Sequence, residues 1–395
     1  MRIDLLVHSA SQLATLSGGP QRGGALGQLS IVPDGAVAID DSRILAVGPS
    51  AEIRGRYRAD QELDASGRVV LPGFVDSHTH AIWAGDRATE FEMRLQGRSY
   101  MEILASGGGI MSTVRATRAA SIEQLVAETR PRLERMLACG TTTAEVKTGY
   151  GLDLATELRL LQAILQLDSE GPPQLVPTFL AAHAVPEEYR GRTEAYVDLV
   201  CETMLPAVRT WWETHAARRP LPFVDVFCEQ GAFDLEQTRR ILSAARSLGF
   251  PLKIHADEFV ALGGTRLAVD LEARSADHLL HTPPEDVTSL AESDTVAVAL
   301  PATPFGLGET ASAPGQVPFT IALACRSLGL TPAQAIAAAT INGAAALGMQ
   351  GRKGSLEPGK DADLIILDVP DWRHIGYRFG TNLVSRVVQG GRVVI

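Results

Sequence analysis

Cysteine is scarce in this chain of 395 residues. The four cysteines lie far apart and include no Cys-x-x-Cys pair: Cys139, Cys201, Cys228 and Cys325. This spacing argues against a zinc knuckle and against a disulfide framework. We therefore expect a cytoplasmic protein whose cysteines stay reduced.

An excess of positive charge and long hydrophobic runs are also lacking. The 36 Lys and Arg residues stand against 46 Asp and Glu residues, which gives a net charge of −10. Phosphate backbones and anionic membrane surfaces would be repelled by this charge. No stretch of the sequence approaches the roughly 20 apolar residues of a membrane span. We expect neither a nucleic-acid partner nor a membrane partner.

The composition is that of a globular protein, with 45% hydrophobic and 21% charged residues in a chain longer than the usual single core. Both ends alternate short apolar runs with turn signals, which is typical of antiparallel strands. We expect residues 1–68 and 355–395 to form one composite β lobe. Residues 69–354 would then form a second domain.

Between the two ends, apolar strands alternate with amphipathic helices, as in parallel βα units. Strands are predicted at 69–75, 141–146, 174–180, 223–228, 251–255, 275–279 and 295–300. One helix is predicted from a capping box at Ser121 and Gln124 to a stop at Gly140, and others over 234–248 and 332–348.

Polar residues capable of chemistry follow the ends of these strands, where a (β/α)₈ barrel carries its active site. They are His78, His80, Glu145, Lys147, His183, Glu229, His255, Glu258 and His278. Only seven barrel strands can be counted, however, and a closed barrel of this type needs eight. The segment 301–316, where another strand is expected, contains no apolar run.

His78 and His80 are the first candidates for metal ligands. In a strand, the side chains of residues i and i+2 point to one face, so both imidazoles can reach one ion. Two ordinary loop histidines are the less favoured alternative, because the pair directly follows a buried apolar run. A lone histidine such as His255 is more often a packed core residue, but His255 and His278 end neighbouring strands and support each other as site residues.

Three loop residues are candidates for substrate contacts, since Arg87 can bind a carboxylate and Tyr100 and Tyr150 a polar ring group. Spacing alone favours a surface salt bridge or a packed ring for each. The run Gly107-Gly-Gly-Ile110 is read as a flexible loop, because no Gly-Lys-Ser/Thr follows it. A carbamylated Lys147 bridging two metals is disfavoured, because no second ligand pair surrounds it.

Three runs together resemble the amidohydrolase superfamily of metal-dependent hydrolases: residues 43–48, 72–80 and 354–364. Six more cover much of the chain and resemble imidazolonepropionases: residues 84–100, 107–118, 145–153, 182–186, 224–229 and 253–258. That family acts in histidine degradation. It hydrolyses a ring C–N bond of 4-imidazolone-5-propanoate to give N-formimidoyl-L-glutamate.

The resemblance implies a TIM-like (β/α)₈ barrel with a small β-sandwich lobe built from both termini. It implies one Zn or Fe ion, and imidazole ligands do not decide between these metals. The implied residue roles are as follows: metal ligands His78, His80 and His255; catalytic residues Glu258 and His278; substrate contacts Arg87, Tyr100, Tyr150, His183 and Glu258.

The sequence departs from the family where the strand count fails. Amidohydrolases carry a metal-binding Asp at the end of the eighth strand, yet no Asp occurs between Asp294 and Asp361. A sequence fault, an omitted segment and a real variant are the three explanations, and the first two are favoured because an open barrel exposes unpaired strand edges.

Two other functions stay open. One is a different amidohydrolase, such as a deaminase or a hydantoinase-like enzyme, and the other is a catalytically impaired protein with the amidohydrolase fold. A homodimer is the default expectation for such an enzyme.

Overall fold

The computed structural model of the protein describes residues 1–98, 102, 108–305 and 317–395. In these ranges the strands are β1 (Arg2–Ala14), β2 (Ile31–Asp40), β3 (Arg43–Pro49), β4 (Arg58–Asp64), β5 (Val69–Pro72), β6 (Phe74–Asp76), β7 (Thr141–Lys147), β8 (Gln174–Ala182), β9 (Phe223–Cys228), β10 (Lys253–Ala256), β11 (Ser275–His278), β12 (Val296–Val298), β13 (Leu364–Leu367), β14 (Val384–Gln389) and β15 (Arg392–Val393).

The helices come mainly between the strands of the middle region. α-Helices span Ser50–Arg56, Ala88–Leu95, Ile110–Ala119, Ile122–Ala138, Leu154–Glu170, Thr193–Leu199, Leu205–His215, Leu235–Ser247, Gly264–Asp270, Pro284–Ala291, Ala302–Phe305, Val317–Ser327, Pro332–Ala337, Gly343–Ala346 and His374–Tyr377. Short π-helical segments cover Val200–Met204 and Ala338–Asn342. None of the helices formed by the described residues combines the length and apolarity that a membrane crossing needs.

Strands from both ends of the chain form one eight-stranded sheet in the order β15-β14-β13-β5-β1-β2-β3, with β4 also paired to β1. β1 pairs antiparallel with β2 but parallel with β4 and β5. The expectation of purely antiparallel strands is therefore wrong. The helix Ser50–Arg56 lies between β3 and β4, and such a crossover allows the chain to return in the parallel direction.

The second sheet contains seven parallel strands in sequence order from β6 to β12. Helices pack on its outer face, where Leu160 and Ile164 bury their side chains with Leu175, and Ile241 does so with Val226. Sequential parallel strands covered by helices are the arrangement of a TIM-like barrel. Within the described ranges, β6 pairs only with β7 and β12 only with β11.

The predicted strand 69–75 is wrong as a single element. Val69–Pro72 belongs to the sheet of the two termini, and only Phe74–Asp76 belongs to the barrel sheet. Pro72 has no N–H to continue a ladder. Gly73 follows it and packs so closely on Thr142 that a Cβ there would lie 2.5 Å from Thr142 Cγ2. The chain therefore changes sheets at Gly73.

Two helix predictions also change in detail. Ser121 accepts a hydrogen bond from the Gln124 backbone N–H, but the Gln124 side chain donates to Glu128, so the predicted capping box is only half formed. The predicted helix over 332–348 is divided by the π-helical turn Ala338–Asn342. The helix predicted over 234–248 is confirmed as Leu235–Ser247.

The turn between the two sheets gives a stability prediction. Gly73→Ala should lower the free energy of unfolding by about 1–3 kcal/mol, because the added methyl group overpacks a buried contact. Urea unfolding followed by circular dichroism measures this change. Gly351→Ala is the matched control, since a Cβ at Gly351 meets no atom within 4 Å. Equal unfolding free energies for the two variants would contradict the close approach at Gly73.

Candidate metal-binding active site

Three histidines meet at the C-terminal end of the barrel sheet. His78 and His80 follow β6, and His255 lies in β10, four strands away. The Nε2 atoms of His80 and His255 are 3.2 Å apart, and one nitrogen of each of the three rings lies within 4.8 Å of the others. Two nitrogens bound tetrahedrally to one zinc ion at about 2.0–2.1 Å would lie about 3.3 Å apart. The three rings could therefore hold one metal ion.

Burial keeps the rings of His78, His80, His183 and His278 neutral. The pKa values of His78 and His80 lie well below the ordinary value, first because burial disfavours the charged ring and then because neighbouring cationic groups repel it. Burial likewise lowers the pKa of His183 to about 4 and that of His278 to about 3. Neutral imidazole is the form that binds metal ions.

Two buried carboxylates lie next to the Nδ1 atoms of His78 and His255. His78 Nδ1 is 2.6 Å from Asp277 Oδ2, and His255 Nδ1 is 2.9 Å from Asp225 Oδ2. A carboxylate at Nδ1 stabilises the Nδ1–H tautomer and leaves the Nε2 lone pair free for a metal ion. Both carboxylates therefore favour the Nδ1–H tautomer, and the hydrogen bond to Asp277 also fixes the orientation of the His78 ring.

Asp225 and Asp277 belong to a fully buried ion cluster that also contains Glu145, Lys147 and Lys253. Lys147 Nζ is 2.7 Å from Asp225 and 2.9 Å from Glu145, while Lys253 Nζ is 2.9 Å from Glu145. Burial opposes the charge on Lys147, but the carboxylates raise its pKa above the ordinary range. Lys147 is therefore an ammonium group engaged in ion pairs.

A second group of candidate metal ligands overlaps this cluster. His78, Glu145 and Asp277 place ligand atoms within 4.8 Å of one another. The ammonium groups of Lys147 and Lys253 already contact both carboxylates. These ammonium groups supply the positive charge there, so the group needs no second metal ion.

The expected catalytic pair lies beside the three histidines. Glu258 Oε1 is 3.3 Å from His278 Nδ1, and both side chains are buried. The His278 ring is 5.1 Å from the rings of His78 and His255. His278 has a φ of +81°, a strained conformation of the kind found at functional sites. An adjoining carboxylate and imidazole can transfer protons at this position.

Two of the expected substrate contacts line the same cavity as the histidines. The His183 ring stacks on His80 at 4.8 Å, and its Nδ1 is 3.0 Å from the carbonyl oxygen of Gly149. The Tyr150 ring packs edge-on against His183 at 5.3 Å. Burial raises the pKa of Tyr150 to about 12, so its hydroxyl stays protonated and can donate a hydrogen bond.

Arg87 also lines this cavity. Its Nε and one terminal nitrogen lie 2.9 and 2.7 Å from one oxygen of Glu90. The same Glu90 oxygen accepts a hydrogen bond from the Gly109 backbone N–H, which ties the helix Ala88–Leu95 to the chain at Gly109. Tyr100 and Gly107 lie outside the described residues, so the roles expected for them stay predictions.

Sequence reasoning missed Asp225, Lys253 and Asp277 as parts of the site. Asp225 and Lys253 are charged residues inside buried apolar strands, and that placement is a signal the sequence does contain. Glu229 was noticed only as a residue at a strand end. Its carboxylate accepts a hydrogen bond of 2.8 Å from the Phe259 backbone N–H, which anchors the segment that carries the neighbouring Glu258.

Comparisons with known proteins show which families this chain resembles. Two models described as amidohydrolase family match residues 61–120 and 284–394, and a model described as imidazolonepropionase-like composite domain, bacteria, matches residues 35–59. The imidazolonepropionase of Herpetosiphon aurantiacus is 51% identical, with 99% of this chain and 97% of the relative covered. That of Symbiobacterium thermophilum is 49% identical, with 100% and 97% covered.

These relatives contain interior positions that this chain lacks. Their alignments run over 415 and 420 positions, against 395 residues here. At least 20 and 25 positions, respectively, therefore have no counterpart in this chain.

Solved structures share the fold at low sequence identity. Guanine deaminase of E. coli matches with a TM-score of 0.72 at 15% identity, covering 99% of this chain and 98% of that one. A zinc-bound adenosine deaminase of Xanthomonas campestris matches with a TM-score of 0.69 at 18% identity, covering 99% and 93%. These likenesses support a TIM-like barrel. Since relatives 41–51% identical to it cover nearly its whole length, the chain belongs to the imidazolonepropionase family of amidohydrolases.

Proposed function

We propose that this protein hydrolyses the ring C–N bond of 4-imidazolone-5-propanoate to give N-formimidoyl-L-glutamate in histidine degradation. Identity of up to 51% with curated imidazolonepropionases over nearly the whole chain is the observation that carries this proposal. The substrate is a small molecule. We further propose a cytoplasmic enzyme, with a homodimer as its default assembly and no nucleic-acid or membrane partner.

In this proposal His78, His80 and His255 hold one zinc or iron ion. The neutral rings of His78 and His80, the 3.2 Å between the Nε2 atoms of His80 and His255, and the carboxylates at Nδ1 of His78 and His255 support it. Imidazole ligands suit both metals. When bound, such an ion supplies the Lewis acidity that makes water a nucleophile at neutral pH.

Glu258 and His278 handle the protons of the reaction. Hydrolysis requires one proton to leave the attacking water and one to reach the departing ring nitrogen. Neutral His278 can accept a proton, and the 3.3 Å between its Nδ1 and Glu258 lets the proton pass between the two groups. Glu258 also contacts the substrate ring in this proposal.

Arg87 binds the propionate of the substrate, and His183, Tyr150 and Tyr100 contact the ring and its carbonyl. A planar guanidinium suits a carboxylate because several N–H groups point in one plane. Glu90 engages only part of the Arg87 guanidinium, which leaves other donors for the substrate.

We also propose a division into a β lobe of residues 1–68 and 355–395 and a barrel of residues 69–354. The sequence would lack the segment that encodes the eighth barrel strand and its Asp. Two observations support the absence of this strand. The relatives contain positions that this chain lacks, and no Asp occurs between Asp294 and Asp361. The lack of this Asp also favours a second candidate function, a catalytically impaired protein with the amidohydrolase fold.

Metal content separates these two candidates. Protein purified without chelators should carry about one equivalent of zinc or iron by elemental analysis, because three imidazoles converge. His80→Ala should lose most of this metal. His281→Ala is the control, since His281 is exposed. Folded parent protein without metal would instead favour the impaired candidate.

Substrate recognition gives a kinetic prediction. Arg87→Met should raise KM for 4-imidazolone-5-propanoate roughly 10- to 100-fold with little change in kcat, because a charged hydrogen bond of about 1.5–3 kcal/mol is lost. Arg130→Met, which removes a partly exposed ion pair to Glu170, is the control. An unchanged KM in the Arg87 variant would favour a substrate without a carboxylate.

The nucleotide sequence of the gene can show whether a segment is missing from this chain. Resequencing the codons for residues 300–318 should reveal further codons for an apolar strand that ends in Asp. A contiguous reading that encodes the present 395 residues would establish a real variant and overturn the proposal of a lost segment.

A further inference from the structure

Lys147 lies between the two carboxylates that hold His78 and His255. Its Nζ is 2.7 Å from Asp225 Oδ2 and 3.6 Å from Asp277 Oδ2. These are the same two oxygen atoms that contact the histidines, at 2.9 Å from His255 Nδ1 and 2.6 Å from His78 Nδ1. One ammonium group therefore touches both of the oxygens that orient the rings.

The other buried lysine has a different set of contacts. Lys253 Nζ is 2.9 Å from Glu145, 3.5 Å from Asp277 and 2.7 Å from the carbonyl oxygen of Ser77. Among the described residues, Lys147 is the only lysine or arginine within ion-pair distance of Asp225. The side chains of the two lysines are equally buried, but only Lys147 contacts Asp225. A substitution of Lys253 is therefore a matched control for the same substitution of Lys147.

The charge balance explains why this contact matters. Two ammonium groups face three carboxylates in a dry interior, and removing one cation leaves buried negative charge uncompensated. Asp225 would then keep the 3.2 Å hydrogen bond from the His255 backbone N–H to its Oδ1. Its Oδ2, the oxygen that faces the His255 ring, would lose its only ammonium partner in the described part of the chain. Asp277 would retain Lys253 as a partner.

We propose that Lys147 is a positioning residue of the metal centre. Through Asp225 and Asp277 it fixes the Nδ1–H tautomer of His255 and His78 and turns their Nε2 atoms toward a common point. The metal-binding part of this inference rests on the proposed function, whereas the ring orientation concerns the metal-free protein itself.

The test compares Lys147→Met with Lys253→Met in the full-length protein. Cobalt(II) affinity, measured by competition with a chelator and by visible absorption, should fall about 10- to 100-fold in Lys147→Met, the range typical for loss of an outer-shell partner. In metal-free protein, ¹⁵N NMR of the ring nitrogens should show the Nδ1–H signal of His255 lost in Lys147→Met and kept in Lys253→Met.

Two further variants keep the test decisive. Asp225→Asn releases the His255 ring while leaving two cations and two anions, so it serves if Lys147→Met does not fold. Lys353→Met removes another buried lysine, which pairs with Asp361 at 3.0 Å outside the ion cluster. This variant should have a lower free energy of unfolding but the cobalt affinity of the parent protein.

The outcomes separate the two proposals. Parent-like cobalt affinity and a parent-like His255 signal in both Lys147→Met and Asp225→Asn would overturn the positioning role. A parent protein that binds no cobalt, yet shows both Nδ1–H tautomers and loses that of His255 in Lys147→Met, would contradict the metal-dependent function while supporting the positioning role.

Discussion

Charge pairing inside the barrel is the constraint on which the site depends. Each ion buried in a dry interior costs several kcal/mol unless it is well paired. The five members of the cluster come from four strands, with Glu145 and Lys147 on β7, Asp225 on β9, Lys253 on β10 and Asp277 on β11. Complete pairing is therefore reached only when these strands adopt their barrel order, and the ring positions of the histidines follow from it.

Sequence reasoning found what local patterns determine. Apolar runs placed most barrel strands, and the i, i+2 spacing brought His78 and His80 into one candidate site. The chain's change of sheet at Gly73 could not be found in this way, because it depends on the approach of Thr142 from a distant strand. Nor does any local pattern pair Lys147 with Asp225, which lie 78 positions apart.

In the proposed function, Arg87 is held by partial pairing with Glu90 on the side of the cavity where the substrate carboxylate would bind. Arg87 contacts one oxygen of Glu90, which also receives the Gly109 backbone N–H. This arrangement holds the guanidinium in position before a ligand arrives, which reduces the entropy lost on binding. Since guanidinium has five N–H donors, a substrate carboxylate can add to this pairing without displacing Glu90.

Closure of the barrel bears directly on the metal site. The small residues of Gly343–Ala346 allow this helix to pack against β6, where a Cβ on Gly343 would lie 2.5 Å from the Val75 carbonyl oxygen. A helix at this position covers part of an edge that a barrel normally pairs with a strand. The loss of a strand would also remove its carboxylate ligand, but three protein ligands with one open position are the arrangement of catalytic zinc sites. His78, His80 and His255 would alone meet that count, so the proposed metal binding does not require a ligand from an eighth strand.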